Sequence, residues 1–594
     1  MEEDRMATAR LVGDLITLDV AHRENDLAKM TPGMRYHPRG DEHSSRPHFV
    51  FPLAWASCVA LRGVFGANLT IDEQLSKWAR SELETRIQPA LELRNETDLD
   101  RRIHGFDERL RPYQTQASSF LSTAGQAILA DSMRVGKTPE SISALRFLDA
   151  RPALIVVPTS TRYQWLDEVS TWWPEATPIN IRGSATERRK AIVEIAEGRA
   201  DVGIIGWEAL RLHTRLEGFG SVVAIARCEA HGGDGSVTEA KCEAHPKELN
   251  EIAFRAVVAD EAHRAAHPRT KQARALWAVG WKAEYRFALT GTPVLDSPED
   301  LWALMHWISP DEAPQKTLWI DRYCLTGMNL WGLEILGLRE DTKAELFSYV
   351  DPRFLRRTRE MVMPWLPEKI YVERTVELGA KQRKAYNEMR DEMLAELDNG
   401  EQTYVTNSLS KLTRLRQFAS AYAHINEDGD LKLTAPSCKV EAMIEIAEEL
   451  GGKPAVVFAE SKQLIVLAGA ALTKHGYEVG YVTGDVTDDE RAGFVTAFQR
   501  GELQFLLVTL GAGGEGLTLD RADVVIFLQR SFSMAKNRQA EDRIVGQTSG
   551  PGLEVIDIVA RDTIEARVQE VLGDKERISE EILRDRSTFE RLLK

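Results

Sequence analysis

The chain lacks the features that would place it in or across a bilayer. No run of about 18 or more apolar residues occurs in its 594 residues, so no segment suits a membrane-spanning helix. The opening "MEEDRMATAR" lacks the apolar stretch of a signal peptide. Five cysteines fit no disulfide framework, and a reducing cytoplasm is the expected setting. Basic residues are in the minority: 75 Lys and Arg stand against 91 Asp and Glu, a net charge of −16. That excludes a protein coated in basic surface. It leaves room for nucleic acid, because binding depends on local clusters of Lys and Arg rather than on the total. No fixed-period repeat and no low-complexity tract is present. What is present is 43% hydrophobic and 28% charged residues, enough for large folded cores. The length suggests about four units of 150 residues.

Short apolar runs mark buried parallel strands. The first series is "QAILA" (126–130), "ALIVV" (153–157), "VGIIG" (202–206), "RAVVA" (255–259) and "RFAL" (286–289). The second is "AVVFA" (455–459), "VGYV" (479–482), "FLLVT" (505–509), "DVVIFL" (523–528) and "EVIDI" (554–558). Helix-like stretches separate most of them, which predicts two α/β domains, each a parallel sheet covered on both faces. The expected division is an accessory region at 1–100, a first nucleotide-binding domain at 101–310, a helical insertion and linker at 311–440, and a second domain at 441–594 ending in a brace helix.

"DSMRVGKT" (131–138) follows the first of these strands and precedes the helix-like "PESISALRFL". It ends as a phosphate-binding loop ends, but Asp131 stands where the usual G-x-x-x-x-G-K-[ST] has its first glycine. Backbone N–H groups at such a helix start can cradle phosphates. Lys137 would reach the β and γ phosphates, and Thr138 would coordinate Mg²⁺. Taken alone, the octamer reads equally well as a tight turn with an exposed lysine. "AVVADEAH" (256–263) adds an apolar strand ending in two carboxylates: Asp260 can hold Mg²⁺ and Glu261 can polarise an attacking water. Its position downstream of a Gly-Lys-Thr loop, in strand-end register, weakens the turn reading.

Further segments follow in order: "LRPYQ" (110–114), "VVPTSTRYQWLDEVSTWWP" (156–174), "IIGWEALR" (204–211), "ALTGTPVLDSPEDLWALMHWISP" (288–310), "FLRRTREMVMPWLPEKIYVE" (354–373), "YVTGDVTDDERAGFVTAF" (481–498), "TLGAGGEGLTL" (509–519) and "QAEDRIVGQT" (539–548). Together they resemble the Swi/Snf-type, DEAH-containing ATPases of helicase superfamily two, over roughly residues 105 to 565. In that family the loop resembles "DEMGLGKT", so Asp131 is a family variant, whereas Arg134 stands in place of a glycine. The 354–373 segment resembles a family-specific linker that general helicases lack.

The resemblance implies two RecA-like parallel-sheet domains in tandem, a P-loop NTPase, with a helical insertion between them and a small N-terminal α+β domain. It implies ATP and Mg²⁺ bound between the two domains, closing the cleft on binding and opening it on hydrolysis. Gln114 would read adenine. Nucleotide contacts would extend over Arg111, Asp131, Arg134, Val135, Gly136, Lys137 and Thr138, and in the second domain to Gly516 and Arg543. Thr290 and Thr292 would couple the domains, and Thr159 and Thr509 would meet DNA phosphates. The partner implied is duplex or forked DNA with little sequence preference, bound by a monomer without a membrane. No histone-reader domain, nuclease motif or nuclear-localisation cluster is evident, which suggests a bacterial or phage-encoded protein.

Three features depart from or add to that pattern. The family's last motif carries two arginines, but "QAEDRIVGQ" is two residues shorter and has only Arg543. Loss of one could slow turnover, or Arg538 or Arg530 could compensate. In "RCEAHGGDGSVTEAKCEAHPKE" (227–248) the tetrapeptide CEAH occurs twice, so Cys228, His231, Cys242 and His245 could hold a structural Zn²⁺ in a knuckle. A solvated loop with coincidental thiols is the alternative. Residues 27–66 interleave basic and aromatic side chains and resemble the HARP-like module of some annealing helicases. A hairpin and helix packed on the motor for stability accounts for them equally well.

The leading expectation is a DNA-dependent ATPase that tracks along duplex DNA and remodels or anneals strands. A strand-separating helicase of replication or recombination, and a nucleic-acid clamp with a weakened ATPase, are the rivals.

Overall fold

The computed structural model describes residues 7–38, 48–218, 242–291, 298–329, 332–365, 369–398, 404–425, 431–512, 519–544 and 552–567. The chain divides into two compact units, Met1–Val362 and Met363–Lys594.

The first unit begins with a five-stranded sheet of β1 (Ala7–Val12), β2 (Leu15–Asp19), β3 (Arg35–His37), β4 (His48–Pro52) and β5 (Leu69–Ile71), ordered β3-β4-β2-β1-β5. Ile16, Leu18, Phe49, Phe51 and Leu61 give it a small core of its own. Glu312 fastens this region to the rest of the unit. Its carboxylate accepts the Ala56 backbone N–H at 2.6 Å and pairs with Arg353 at 3.1 Å and Arg86 at 3.3 Å.

The main sheet of the unit has β6 (Gln126–Leu129), β7 (Ala153–Val157), β8 (Pro178–Ile181), β9 (Val202–Gly206), β10 (Ala256–Ala259) and β11 (Tyr285–Leu289). A hairpin of β12 (Cys324–Asn329) and β13 (Gly332–Leu338) stands apart, and β14 (Phe354–Leu355) returns to the main sheet. Its order is β14-β6-β11-β10-β7-β9-β8, and every pairing is parallel. Alternation along β7 shows burial on both faces: Leu154 and Val156 join one core, while Ala153, Ile155 and Val157 join the other. The first of these cores is rich in tryptophan. The His306 ring lies 4.6, 5.0 and 5.5 Å from the rings of Trp302, Trp277 and Trp281. Burial there pushes the imidazole down to about 4.

The second unit carries β15 (Ile370–Val376), a hairpin of β16 (Tyr422–Ile425) and β17 (Leu431–Thr434), and β18 (Ala455–Ala459), β19 (Val479–Val482), β20 (Phe505–Thr509), β21 (Val524–Phe527) and β22 (Glu554–Ala560). Its main sheet runs β15-β22-β21-β18-β20-β19, again parallel throughout. Val457 faces one core and Val456 and Phe458 the other.

All ten strands read from apolar runs are present. The stretch 311–440, expected as a helical insertion, contains helices and also strands that complete both sheets. β14 adds an edge to the first and β15 an edge to the second. The expected C-terminal brace helix lies outside the described residues. No helix among the described residues is long and apolar enough to cross a membrane.

Candidate nucleotide site

In a parallel α/β sheet, ligands collect beyond the carboxyl ends of the strands. The chain segments leaving β6, β10 and β11, three neighbours in the first sheet, supply the motif residues there. Residues 130–136 connect β6 to the helix Lys137–Phe147. Gly136 sits at φ 116°, where a side chain would be strained, and a Cβ there would collide with the Gln114 amide. Arg134 also has positive φ, 64°. Glycine is the unstrained residue for that conformation, so the arginine carries a backbone cost of about 1–2 kcal/mol.

Lys137 Nζ donates to the carbonyls of Asp131 at 2.7 Å and Ser132 at 3.1 Å, so the lysine is folded across its own loop. The Val135 carbonyl accepts from the Tyr113 hydroxyl at 2.9 Å and from Gln114 Nε2 at 3.3 Å. Gln114 Oε1 in turn accepts the Arg111 backbone N–H at 2.9 Å, tying the start of the helix Pro112–Ala124 to the loop.

Asp131 does not present its carboxylate as an open nucleotide contact. It is fully buried and belongs to Arg357, a residue the motif reading did not select. Asp131 Oδ1 accepts the Arg357 backbone N–H at 2.8 Å, and Oδ2 accepts from Nε at 3.0 Å and also from Nη2. Arg357 further donates to the Tyr113 carbonyl at 2.5 Å and to Glu140 Oε1 at 3.1 Å. Burial pushes the Glu140 carboxyl up to about 8 even with Arg357 drawing it down. The aspartate in place of a first glycine is therefore a buried anchor for a distant arginine. The sequence signal was the Arg-Arg pair in "FLRRT", but nothing local assigns its partner.

Asp260 follows β10 and is held from two sides. Its Oδ2 accepts the Trp165 indole N–H at 3.0 Å, and its carbonyl accepts that of Trp207, also at 3.0 Å. Burial, with the Glu261 charge beside it, pushes its carboxyl up to about 6, and Lys137 is near enough to oppose the shift. Glu261 takes the left-handed conformation, φ 50°, with Oε2 3.3 Å from His263 Nδ1. Non-glycine residues in this backbone region cluster at functional sites. After β11 comes buried Thr290, then Gly291, where a Cβ would lie 3.6 Å from Lys137 Nζ. Lys137, Thr138, Asp260 and Glu261 thus belong to one sheet edge. A crowded, partly desolvated carboxylate pair offers oxygen donors of the kind a hard divalent cation such as Mg²⁺ takes.

Thr159, after β7, donates to Glu208 at 2.8 Å, and Glu208 also pairs with Arg264 at 3.0 Å. In the second unit, Thr509 ends β20 and is 8% exposed. Arg543 follows the helix Met534–Asp542 and is 5% exposed. Arg530 is committed elsewhere. Its guanidinium grips Asp557 at 2.5 and 2.8 Å and Glu541 at 2.8 Å, so in this structure it braces that helix rather than standing in for a missing arginine. On the other side of Glu541, Lys369 donates at 3.1 Å and the Tyr371 hydroxyl at 2.9 Å. Against the upward push of burial, Lys369 and Arg530 hold the Glu541 carboxyl below its usual range.

Gly516, Thr292, Cys228 and His231 lie outside the described residues. Cys242 is buried and His245 half-buried, and among the described residues no group of three or more His, Cys, Asp or Glu is placed to hold a metal.

Residues 80–423 match the family model described as SNF2-related domain, and residues 438–545 match the helicase conserved C-terminal domain. The DNA annealing helicase and endonuclease ZRANB3 of Bos taurus is 24% identical over 491 residues, covering 80% of this chain and 41% of the relative. The putative ATP-dependent helicase/translocase YwqA of Bacillus subtilis (strain 168) is 26% identical over 498 residues, covering 80% and 49%. This chain spans about half, or less, of the length of these curated relatives. A solved structure, the Sulfolobus solfataricus SWI2/SNF2 ATPase core in complex with dsDNA, aligns with 82% of this chain and 97% of that chain at 21% identity and a TM-score of 0.36.

Proposed function

The chain belongs to the SNF2-related domain family, and from that premise we propose that it is a DNA-dependent ATPase that moves along duplex DNA and remodels or anneals strands. The observation that carries the reading is the gathering of Lys137, Thr138, Asp260 and Glu261 at the carboxyl edge of one parallel sheet, with Gly291 beside the lysine.

Lys137 would exchange the Asp131 and Ser132 carbonyls for the β and γ phosphates, swapping neutral acceptors for charged ones. Thr138 and Asp260 would hold Mg²⁺, which spreads and neutralises phosphate charge. Trp165 keeps the Asp260 carboxylate in one orientation. Glu261 would polarise the attacking water, and Gln114 would meet the adenine edge. Arg543 of the second unit would contribute charge to the γ-phosphate. Thr159 and Thr509 would meet DNA phosphates, so binding would fall with salt and depend little on sequence. The Zn²⁺ knuckle of Cys228, His231, Cys242 and His245 rests on the repeated CEAH alone, and metal analysis of Cys228→Ser and Cys242→Ser proteins checks it.

The deciding experiment compares phosphate release on blunt duplex, single strand, fork and RNA. A duplex translocase is stimulated most by blunt duplex and releases little labelled strand. Release of strand from a fork after single-strand loading indicates the strand-separating helicase, and no release of phosphate on any substrate indicates the clamp.

A further inference from the structure

We propose that Arg357 is a positioning residue of the nucleotide loop: it fixes the loop in the shape that receives phosphate at the moment Lys137 lets go of it. The inference rests on the reading that this loop binds ATP.

Residues 131 and 132 are held from two directions. From one side Lys137 Nζ donates to both carbonyls. From the other, the segment carrying Arg357 takes up what remains. The Ser132 N–H donates to the Arg357 carbonyl at 3.0 Å, the Ala130 N–H to the Leu355 carbonyl at 2.7 Å, and the Asp131 carboxylate accepts from Arg357. When Lys137 turns to a phosphate, the first set of bonds is lost and only the second keeps these two residues in place.

The same guanidinium reaches the two helices that flank the loop. Its bond to the Tyr113 carbonyl fixes the residue whose hydroxyl supports Val135, and its bond to Glu140 fixes the first turn of the helix that begins at Lys137. Arg357 is 5% exposed and both carboxylates are fully buried, so bulk water has little access to the pair. Arginine's planar fork satisfies several acceptors at fixed angles, which a lysine cannot do. A preorganised loop spends less of its binding energy on ordering, so loss of the fork should appear in nucleotide affinity rather than in chemistry.

The test uses full-length Arg357→Lys and Asp131→Asn, singly and together, with Lys137→Ala as the reference for lost phosphate binding. Binding of a fluorescent ATP analogue, kcat and KM for ATP, thermal unfolding, and hydrogen exchange at residues 131–138 are measured on each. Each single variant is expected to weaken nucleotide binding and raise KM about tenfold, the scale of one impaired charge-assisted hydrogen bond, with kcat within about threefold. The double variant should be no worse than the poorer single one, because the two residues act as a pair. Exchange across the loop should quicken by more than the global loss of stability explains. Unchanged affinity and loop exchange with a lowered melting temperature would make Arg357 a staple of the fold and overturn the proposal. If Arg357→Lys does not fold, Asp131→Asn carries the same two readings. Failure of the wild-type protein to bind ATP would sink the proposed function instead, and loop exchange without nucleotide would still decide the role of Arg357.

Discussion

The two units use the same parallel architecture but hold their functional segments differently. In the first, the loop at residues 130–136 is tied to one buried arginine with two fully buried carboxylates around it. In the second, the helix before Arg543 is braced by a redundant network, in which Glu541 has three partners while Arg530 also has Asp557 and Lys369 also has Asp542. Tryptophan divides just as unevenly: of 13, only Trp365 falls after residue 362. A single buried clamp concentrates the hold on one residue, at the risk of losing it when that residue changes. A shared network tolerates local loss and suits a helix that must keep its place as its surroundings vary.

The largest expected effects ask whether both units take part in chemistry. Glu261→Gln should lower DNA-stimulated phosphate release by about 10²–10⁴-fold. Arg543→Ala should cost about 10³-fold. A normal rate in the Arg543 variant would leave the first unit as the sole seat of catalysis.

Stability separates the clamp from the network. Asp131→Ala leaves Arg357 buried with only Glu140 to balance it, and should cost the first unit about 3–5 kcal/mol in denaturant unfolding. Glu541→Ala leaves Arg530 and Lys369 with other partners, and about 1–2 kcal/mol is expected in the second unit. Equal losses would erase the distinction.

Acid should act on one unit through its tryptophan cluster. The His306 pKa is depressed from 6.5 to about 4, so the folded state binds fewer protons than the unfolded state between those values. Stability from this residue is present above pH 6.5 and is lost as pH falls through about 4, by at most about 3 kcal/mol. Tryptophan fluorescence during denaturation should follow this loss, and His306→Gln should remove it.

The smallest effect concerns metal. Trp165→Phe removes the indole donor from Asp260 and should raise the Mg²⁺ needed for half-maximal phosphate release about tenfold, with little change in melting temperature.

Much of this was legible from residues alone. Central strands such as β7, β9, β18 and β20 are buried on both faces, so they appear as unbroken apolar runs with definite ends. Edge strands carry no such mark. β15, "IYVERTV", is mostly exposed, β14 has only two residues, and β8 is half-buried. Lys137 at a helix start after β6, and Asp260 and Glu261 directly after β10, could be picked out because the expected chemistry calls for those residue types at those places. The pairing of Asp131 with Arg357 spans 226 residues, and no local pattern encodes it. The partners of Arg530, offered with Arg538 as a substitute for a missing arginine, were hidden for a similar reason, since Asp557 and Glu541 hold it from separate elements.

The edge strand Phe354–Leu355 has a practical consequence for taking the protein apart. The strand-and-helix alternation suggests trimming the first lobe near residue 310. Such a fragment would expose the flank of β6 and strand two acids in a greasy interior without their counter-ion. A cut after Val362 keeps the flank covered, so recombinant halves or chimaeras with relatives should be joined there.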